Sequence, residues 1–345
     1  MQMNSAKKPK LHDIAAELGL STSTVSRALA DHASISEGTR EKVRRAALEA
    51  GYAVPVHGTR RRKSGTKTIG VVVGALHNRF MTLLLEHIHD ALLEHGYHMT
   101  LIVDSLNDKG QLLSFRPLID GFLDGMIFAT ATIDSPVVPE LQRLGLPLVL
   151  VVRSVEGVNV DVVEIDNLLA GKDAARHLYS LGHRRFGLIM GPSNTSTGRD
   201  RTRGAMDYLA SEGLKGDAVQ LMWGTYTSES GYSGATQMLS QDKAPTALIG
   251  GNDTIALGIL EACHRLEKKV PEHVSVIGFD DVPLSGSPLV GLTTIRQPVQ
   301  EMARAAARRI VDRVRLGSVL PVSRDMLPIQ LVQRASTGRA RQSET

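Results

Sequence analysis

The sequence predicts a small all-α module that contains a helix-turn-helix, followed by a large α/β region built as two doubly wound lobes. The first 50 residues contain three short helical segments. From Thr68 onward, apolar runs of strand length alternate with helical segments, and this series occurs twice. Continuous Val/Ile/Leu strands that alternate with helices indicate parallel sheets covered on both faces. A chain of 345 residues fits two or three domains of this kind.

The basic charge of the chain is concentrated at its N-terminus. Residues 1–65 hold 12 Lys/Arg and 6 Asp/Glu. The whole chain has 40 basic and 36 acidic residues, so the remainder holds 28 basic and 30 acidic ones. A basic excess confined to one small module is typical of a segment that binds phosphate. Charge alone leaves open the alternative of a solvated basic tail.

The single cysteine and the apolar pattern limit the class of protein. Cys263 is the one cysteine of the sequence, so an intramolecular disulfide is impossible and a cysteine-rich metal site is excluded. No apolar run approaches the roughly 18 residues of a membrane helix. The start MQMNSAKKPK lacks the apolar stretch of a secretion signal. We therefore expect a cytoplasmic protein without a membrane partner.

The N-terminal module is predicted to contain three helices, at Leu11–Leu18, Thr22–Ala30 and Glu37–Ala50. Gly19 ends the first helix, and Ser21 and Ser36 are suited to cap the second and third. Small and aliphatic residues recur at helical spacing, which gives each helix one apolar side. The module should therefore form its own small core.

The α/β region is predicted from its strands. TIGVVVG, HMTLIVDS, GMIFAT and LPLVLVV form the first series, with a helix from Phe80 to His95. FGLIMG, AVQLM, TALIGG and VSVIGFD form the second series, with helices at Arg201–Leu209 and Asp253–Leu266. These runs have the length of buried strands, so each series predicts one doubly wound lobe.

The segment LHDIAAELGLSTSTVSRAL carries the most specific local pattern. Two short helices joined by a tight turn with glycine form a helix-turn-helix. The second helix exposes Thr22, Ser23, Ser26 and Arg27, whose hydroxyl and guanidinium groups suit base edges and phosphates. Arg27 could bind a guanine with two hydrogen bonds, or could equally contact a phosphate or form an ion pair. Ser21 could serve only as a cap.

LHDIAAELGLSTSTVSRAL followed by ISEGTREKVRRAALEAGY resembles the DNA-binding headpiece of the lac/gal repressor family of bacterial transcription regulators. Further matches follow in order, among them HLYSLGHRRFGLI, GNDTIALG, VSVIGFDDVPLS and LTTIRQP. The resemblance implies a repressor of transcription that binds a two-fold symmetric operator under the control of a small effector. It also implies a homodimer, with a tetramer left open. It places DNA contacts on Leu11, Ser21, Thr22, Ser23, Ser26 and Arg27.

The linker departs from the family pattern. The resemblance implies an Ala-Arg-x-Leu hinge helix after GY, but this sequence has GYAVPVHGTRRRKSG. We expect Arg60, Arg61 and Arg62 to act through phosphates or the minor groove, and an extended solvated linker is an equal alternative. The predicted domains are the helix-turn-helix at 1–56, a basic linker at 57–67 and an effector-binding, dimerising domain at 68–345.

The resemblance implies a periplasmic-binding-protein-like fold for the large domain, in which two lobes close on a ligand. We place lobe 1 at about 68–163 and 296–324, and lobe 2 at about 164–293 and 325–337. The dimer contact is expected on the helix between Phe80 and Leu93 in lobe 1, although packing of its apolar side on its own sheet explains most of these residues.

Polar residues that follow the predicted strands should meet in the cleft. The residues expected to bind the effector are Phe80, Arg153, Arg201, Tyr226, Asn252, Asp253 and Asp280. The resemblance implies this role for Arg201, Asn252 and Asp280, and a stacking role for Tyr226. Asn252 could be only a helix cap, and Arg153 could form a surface ion pair. Carboxylate, amide and guanidinium groups around an aromatic ring suit a sugar or sugar acid first and a nucleobase second.

Patterns of catalysis and metal binding were not found in the sequence. His87, His89, His95 and His98 cluster, but they lack the spacing of an HExxH pair. No GxSxG, GxxxxGK[ST] or CxxC motif occurs. We expect no enzyme, no cofactor and no metal. The rival readings are a solute-binding protein without DNA recognition and an enzyme on a doubly wound fold.

Overall fold

The computed structural model describes residues 11–29, 34–49, 65–104, 122–316 and 320–341. The predicted linker residues Arg60, Arg61 and Arg62 lie outside the described residues. The chain divides into two compact units, and the second begins at Lys67. The predicted boundaries at 56 and 67 stay predictions.

The first unit contains the three predicted helices. They are α1 (Leu11–Leu18), α2 (Thr22–Leu29) and α3 (Glu37–Glu49). The turn between α1 and α2 uses Gly19 at a φ of +64°, a conformation that glycine adopts without strain. Ser21 Oγ accepts a hydrogen bond from the backbone N–H of Thr24 at 3.1 Å, as a cap of α2 should. Ile14, Val25 and Val43 are fully buried and join the three helices in one small core.

The second unit contains two sheets of six strands each. The first sheet has the order β11-β5-β4-β3-β1-β2, and the second has the order β12-β10-β9-β8-β6-β7. The strand bounds are β1 (Thr68–Val73), β2 (His98–Val103), β3 (Gly125–Phe128), β4 (Leu148–Val151), β5 (Asp161–Ile165), β6 (Phe186–Met190), β7 (Val219–Trp223), β8 (Ala247–Gly250), β9 (Ser275–Asp280), β10 (Thr293–Arg296), β11 (Arg324–Leu327) and β12 (Gln330–Val332). All described pairings are parallel except that of β10 with β12. The predicted two-lobed parallel architecture is therefore confirmed.

Helices accompany both sheets. Their bounds are α4 (Arg79–Glu94), α5 (Val137–Arg143), α6 (Asn167–Ser180), α7 (Ser196–Ser211), α8 (Ser228–Leu239), α9 (Asp253–Arg265) and α10 (Val299–Leu316). In α4, Phe80, Leu84, Ile88 and Leu92 are buried in the core of the unit, so most of its apolar side packs within the domain. Among the described residues, no helix combines the length and apolar character needed to cross a membrane.

Two pairs of neighbouring helices pack closely at glycine residues. In α6 and α7, a Cβ on Gly171 would overlap the carbonyl oxygen of Arg201, and a Cβ on Gly204 would overlap that of Leu168. Gly231 and Gly258 make the same reciprocal contact between α8 and α9. Because the backbones touch, the Gly171–Gly204 pair fixes the position of α7, and hence of Arg201, relative to α6.

The chain passes between the lobes after β5, after β10 and after β11. Each passage lies a few residues from its predicted place. β5 continues to Ile165 in the first sheet, β10 belongs to the second sheet up to Arg296, and β11 belongs to the first sheet up to Leu327. The predicted lobe ends at 163, 293 and 324 are corrected accordingly. TTIR and RDML are short and polar, so their sequences lack the apolar run from which the other strands were predicted.

Candidate functional site

The polar face of α2 is exposed on the first unit. Thr22, Ser23, Ser26 and Arg27 are exposed, whereas Val25, Ala28 and Leu29 are buried. This division follows the helical period and leaves hydroxyl groups and one guanidinium together on one surface. Such a surface has the size and donor set to enter the major groove of a duplex.

Two of the predicted DNA-contact residues also have structural roles. The hydroxyl of Ser21 lies 2.8 Å from those of Ser23 and Thr24, in addition to its capping bond. Leu11 is half-buried and packs against the core of the three helices. Thr22, Ser23, Ser26 and Arg27 lie on the exposed face of α2.

An open pocket lies between the two lobes of the second unit. It is lined by Asn78, Phe80, Met81, Val152, Arg153, Thr197, Arg201, Tyr226, Asn252, Asp280 and Gln297. Many of these residues follow strands or begin helices, which is where open parallel sheets bind ligands. Six of the seven predicted effector residues therefore meet in one pocket.

Asp280 ends β9 and is the carboxylate of the pocket lining. Its Oδ1 accepts a hydrogen bond from Gln297 Nε2 at 2.6 Å and lies 3.8 Å from Arg201 Nη1. Burial raises the pKa of Asp280 to about 6, while the nearby guanidinium of Arg201 opposes the rise. The carboxylate is thus mostly ionised at neutral pH and can accept bonds from ligand hydroxyls.

Arg201 is almost fully buried on α7 and is held by neutral oxygens. Its Nε donates to Asn167 Oδ1 at 2.9 Å, and its Nη1 donates to the carbonyl oxygen of Gly251 at 2.8 Å. Its Cζ lies 4.7 Å from the centre of the Phe279 ring. These contacts fix the guanidinium before any ligand binds, which lowers the entropic cost of binding.

Tyr226 forms an aromatic wall of the pocket. Its hydroxyl lies 2.8 Å from Thr197 Oγ1, and its ring packs on Gly191, where a Cβ would overlap the ring. The Cζ of Arg153 lies 5.5 Å from the ring centre, and Arg153 Nη1 donates to the carbonyl oxygen of Thr130 at 3.1 Å. Arg153 therefore faces the cleft and does not form the surface ion pair that was its alternative.

Asn252 and Asp253 are adjacent but have different roles. Asn252 Oδ1 caps α9 by accepting from the N–H of Ile255 at 2.9 Å, and the residue also lines the pocket. Asp253 lies outside the pocket lining, which corrects its predicted role. Its Oδ2 accepts from the N–H of Val282 at 3.0 Å and the hydroxyl of Ser285 at 2.6 Å, and its Oδ1 accepts from Thr294 at 2.6 Å. Successive residues of a helix point in different directions, so only one of the two faces the cleft.

Five lining residues were absent from the predicted set: Asn78, Met81, Val152, Thr197 and Gln297. Helix α7 begins at Ser196, five residues before the predicted start, because Thr195 caps it through the N–H of Gly198 at 3.1 Å. The sequence Thr195-Ser196-Thr197, with a capping threonine, was the local pattern that could have predicted this helix start and the place of Thr197 in it. Val152 has a φ of +71°, a strained conformation for a β-branched residue that only the backbone reveals.

Asp281, the residue after Asp280, has structural contacts. It accepts hydrogen bonds from Arg296 Nε and from Arg334 Nη2, both at 2.6 Å. Within the part of the chain that the structure describes, no group of three or more His, Cys, Asp or Glu side chains is arranged as potential metal ligands.

Comparisons with known proteins agree with this geometry. Residues 10–54 match the model of bacterial regulatory proteins of the lacI family, and residues 175–337 match a periplasmic binding protein-like domain. The chain is 33% identical to the HTH-type transcriptional repressor CytR of Escherichia coli K12 over 328 residues, which cover 95% of this chain and 96% of that repressor.

Solved structures show the same fold. The structure of a transcriptional regulator CelR–cellobiose complex has a TM-score of 0.73 and 28% identity, and the match covers 95% of this chain and 100% of that one. The lac repressor dimer bound to operator has a TM-score of 0.71 and 23% identity, and the match covers 96% of this chain and 100% of that one. The chain belongs to the lacI family of bacterial regulatory proteins.

Proposed function

We propose that this protein is a transcription repressor that binds a two-fold symmetric operator as a homodimer and is controlled by a sugar or sugar derivative. The observation that carries the proposal is the presence, in one chain, of an exposed polar helix in a helix-turn-helix and a buried polar pocket between two lobes. The first provides contacts to DNA and the second provides control by a metabolite.

The DNA contacts are assigned to the exposed face of α2. Arg27 donates to a guanine edge, and Thr22, Ser23 and Ser26 bind base edges or phosphates. Ser21 keeps the start of the helix in place, and Arg60, Arg61 and Arg62 add phosphate contacts. Affinity for DNA should therefore fall as salt concentration rises, since phosphate contacts release counterions.

The effector is assigned to the pocket of the second unit. Asp280 and Asn252 provide acceptors, Arg153, Arg201 and Asn252 provide donors, and Tyr226 and Phe80 contact the ring. This donor and acceptor set suits a polyhydroxylated ring, and a structural neighbour, CelR, was solved with cellobiose. A nucleobase is the second candidate, because Tyr226 and Arg153 can also stack on a planar ligand.

Control requires a coupling free energy between the two sites. Such couplings are typically about 1–3 kcal/mol. The effector binds groups from both lobes, so it stabilises the arrangement in which the lobes are closed. The dimer is proposed by analogy with the lac repressor dimer, and a tetramer remains an alternative. We further propose that the protein acts in the cytoplasm and has no catalytic activity.

The experiment is a selection of duplexes from a random library, followed by fluorescence anisotropy with and without sugars and nucleobases. Arg27→Ala should reduce discrimination against random DNA by about tenfold to a hundredfold, because a bidentate base contact provides about 1–3 kcal/mol. Arg304→Ala removes an exposed arginine from α10 and is the matched control. Equal binding of selected and random duplexes by the unmodified protein would overturn the proposal.

A further inference from the structure

Arg153 is a buried cation in the wall of the pocket. The residue is 7% exposed and donates from Nη1 to the carbonyl oxygen of Thr130. Its Nε has no hydrogen-bond partner among the described residues, and no described carboxylate forms an ion pair with it. A buried ion without a partner is costly, so the position favours a ligand that supplies one.

The charges of the lining do not balance. Arg153, Arg201 and Asp280 are its ionisable groups apart from Tyr226, and Asp280 lies 3.8 Å from Arg201. Arg153 forms no such ion pair among the described residues. Burial is the main cause that lowers the pKa of Arg153, and Arg201 lowers it further, while Tyr226 and Asp104 oppose the change. Asp104 accepts a hydrogen bond from the Thr130 hydroxyl at 3.1 Å, and it acts on Arg153 without a direct contact between the two charged groups.

Gln297 provides a second unpartnered atom in the same pocket. The residue is 3% exposed, and its Nε2 donates to Asp280. Its Oε1 has no hydrogen-bond partner among the described residues. Because the carboxylate of Asp280 only accepts, the amide oxygen must face away from it and toward a donor. A ligand hydroxyl is such a donor.

We propose that the effector is a hydroxylated acid whose carboxylate binds Arg153, and that Arg153 sets the preference for acids over neutral sugars. The inference rests on the proposed function, because it concerns the same pocket. The carboxylate accepts from the unpartnered Nε of Arg153 in the side-on geometry that arginine favours. A ligand hydroxyl donates to Gln297 Oε1.

The first test is calorimetry of the full chain with matched pairs of ligands. The probes are galacturonate with galactose, glucuronate with glucose, and gluconate with glucitol. At least one acid should bind tenfold or more tightly than its neutral partner, and Arg153→Gln should remove that preference. Arg304→Gln removes a positive charge outside the pocket, so this variant should keep the preference for acids. A neutral sugar that binds as tightly as its acid, or tighter binding of glucose 6-phosphate, would overturn the assignment.

The second test needs no ligand and decides the matter if no probe acid binds. Arg153→Met should raise the Tm of the ligand-free chain at low salt, because it removes a buried charge that lacks a partner. Arg201→Met should lower the Tm, because it removes bonds to Asn167 and Gly251. A lower Tm for Arg153→Met contradicts the proposal. A neutral sugar that binds and alters operator affinity would support the proposed function while overturning this inference.

Discussion

His183 shows how a single buried residue joins distant parts of the second lobe. Its Nδ1 lies 3.0 Å from Thr246 Oγ1, and its Nε2 lies 3.0 Å from Ser275 Oγ and 3.1 Å from the carbonyl oxygen of Gly338. A carbonyl oxygen only accepts, so Nε2 carries the proton and Nδ1 accepts from the threonine hydroxyl. Burial is the main cause that lowers the pKa of His183, which keeps the ring neutral.

Because the ring of His183 is neutral in the folded chain, we predict that the free energy of unfolding decreases in acid. The unfolded histidine binds a proton below about pH 6.5, whereas the folded one binds it only at lower pH. Stability contributed by His183 is therefore present above pH 6.5 and is lost as pH falls toward the folded pKa. His183→Gln should make the free energy of unfolding in urea less dependent on pH between 5 and 7.

The control for this prediction is His264→Gln, which changes an exposed histidine of α9. Asp253 and Asp280, whose pKa values burial raises to about 7 and about 6, act in the opposite direction, since their ionisation with rising pH weakens the fold. They are present in both variants, so they cancel in the difference. If the free energy of unfolding of His183→Gln depends on pH as strongly as that of the unmodified protein, the prediction is contradicted.

At the scale of elements, the contact between α6 and α7 positions the pocket. Gly171 and Gly204 allow each backbone to touch the other, and Arg201 lies in that contact. Neither glycine sits in a turn, so local sequence gives no reason for them. Their role becomes visible only when the two helices are packed together.

Gly171→Ala should therefore separate the two helices. The added methyl group meets the carbonyl oxygen of Arg201, and overpacking of this kind costs about 1–3 kcal/mol. Thermal unfolding should show the loss, and effector affinity should fall because Arg201 moves. The control is Gly38→Ala in α3, where a Cβ meets no atom within 4 Å. That change should stabilise its own unit by about 0.5–1 kcal/mol, and equal effects of both changes would contradict the packing argument.

On the scale of the whole molecule, Asp281 connects two of the three passages between the lobes. Arg296 ends β10 immediately before one passage, and Arg334 follows β12, the strand that comes after another. Asp281 accepts from both arginines, while its neighbour Asp280 faces the pocket. Both aspartates have a positive φ, +116° at Asp280 and +59° at Asp281. This conformation is uncommon for residues other than glycine, and it occurs most often at functional sites. The dipeptide thus places a carboxylate of the pocket lining next to the hydrogen bonds that hold residues near two of these passages.

Asp281→Asn should weaken this link. It removes charge-assisted hydrogen bonds, which contribute about 1.5–3 kcal/mol each, and leaves two arginines near each other. We expect a lower Tm for the second unit and a smaller effect of the effector on operator affinity. Asp217→Asn, which changes an exposed aspartate, is the control. A full response to effector in Asp281→Asn would show that these bonds do not contribute to coupling.

The sequence by itself determined the family, the three helices of the first unit and the most apolar strands of the second. Caps such as Ser21 and Asn252, glycine turns such as Gly19, and apolar runs such as TIGVVVG act within a few residues, so their structures could be predicted locally. The resemblance to a known family then predicted that Arg201, Asn252 and Asp280 share one site, and all three line the same pocket.

Tertiary structure decided which side chains line the pocket. Asp253 turned toward Ser285 and Thr294, while Gln297 and Thr197 entered the pocket without a strong local signal. The unpartnered Nε of Arg153 and Oε1 of Gln297 also exist only in the folded chain. The physical reason is that the direction of a side chain, its burial and its charge balance depend on elements far apart in the sequence, whereas helix and strand formation depends on neighbours.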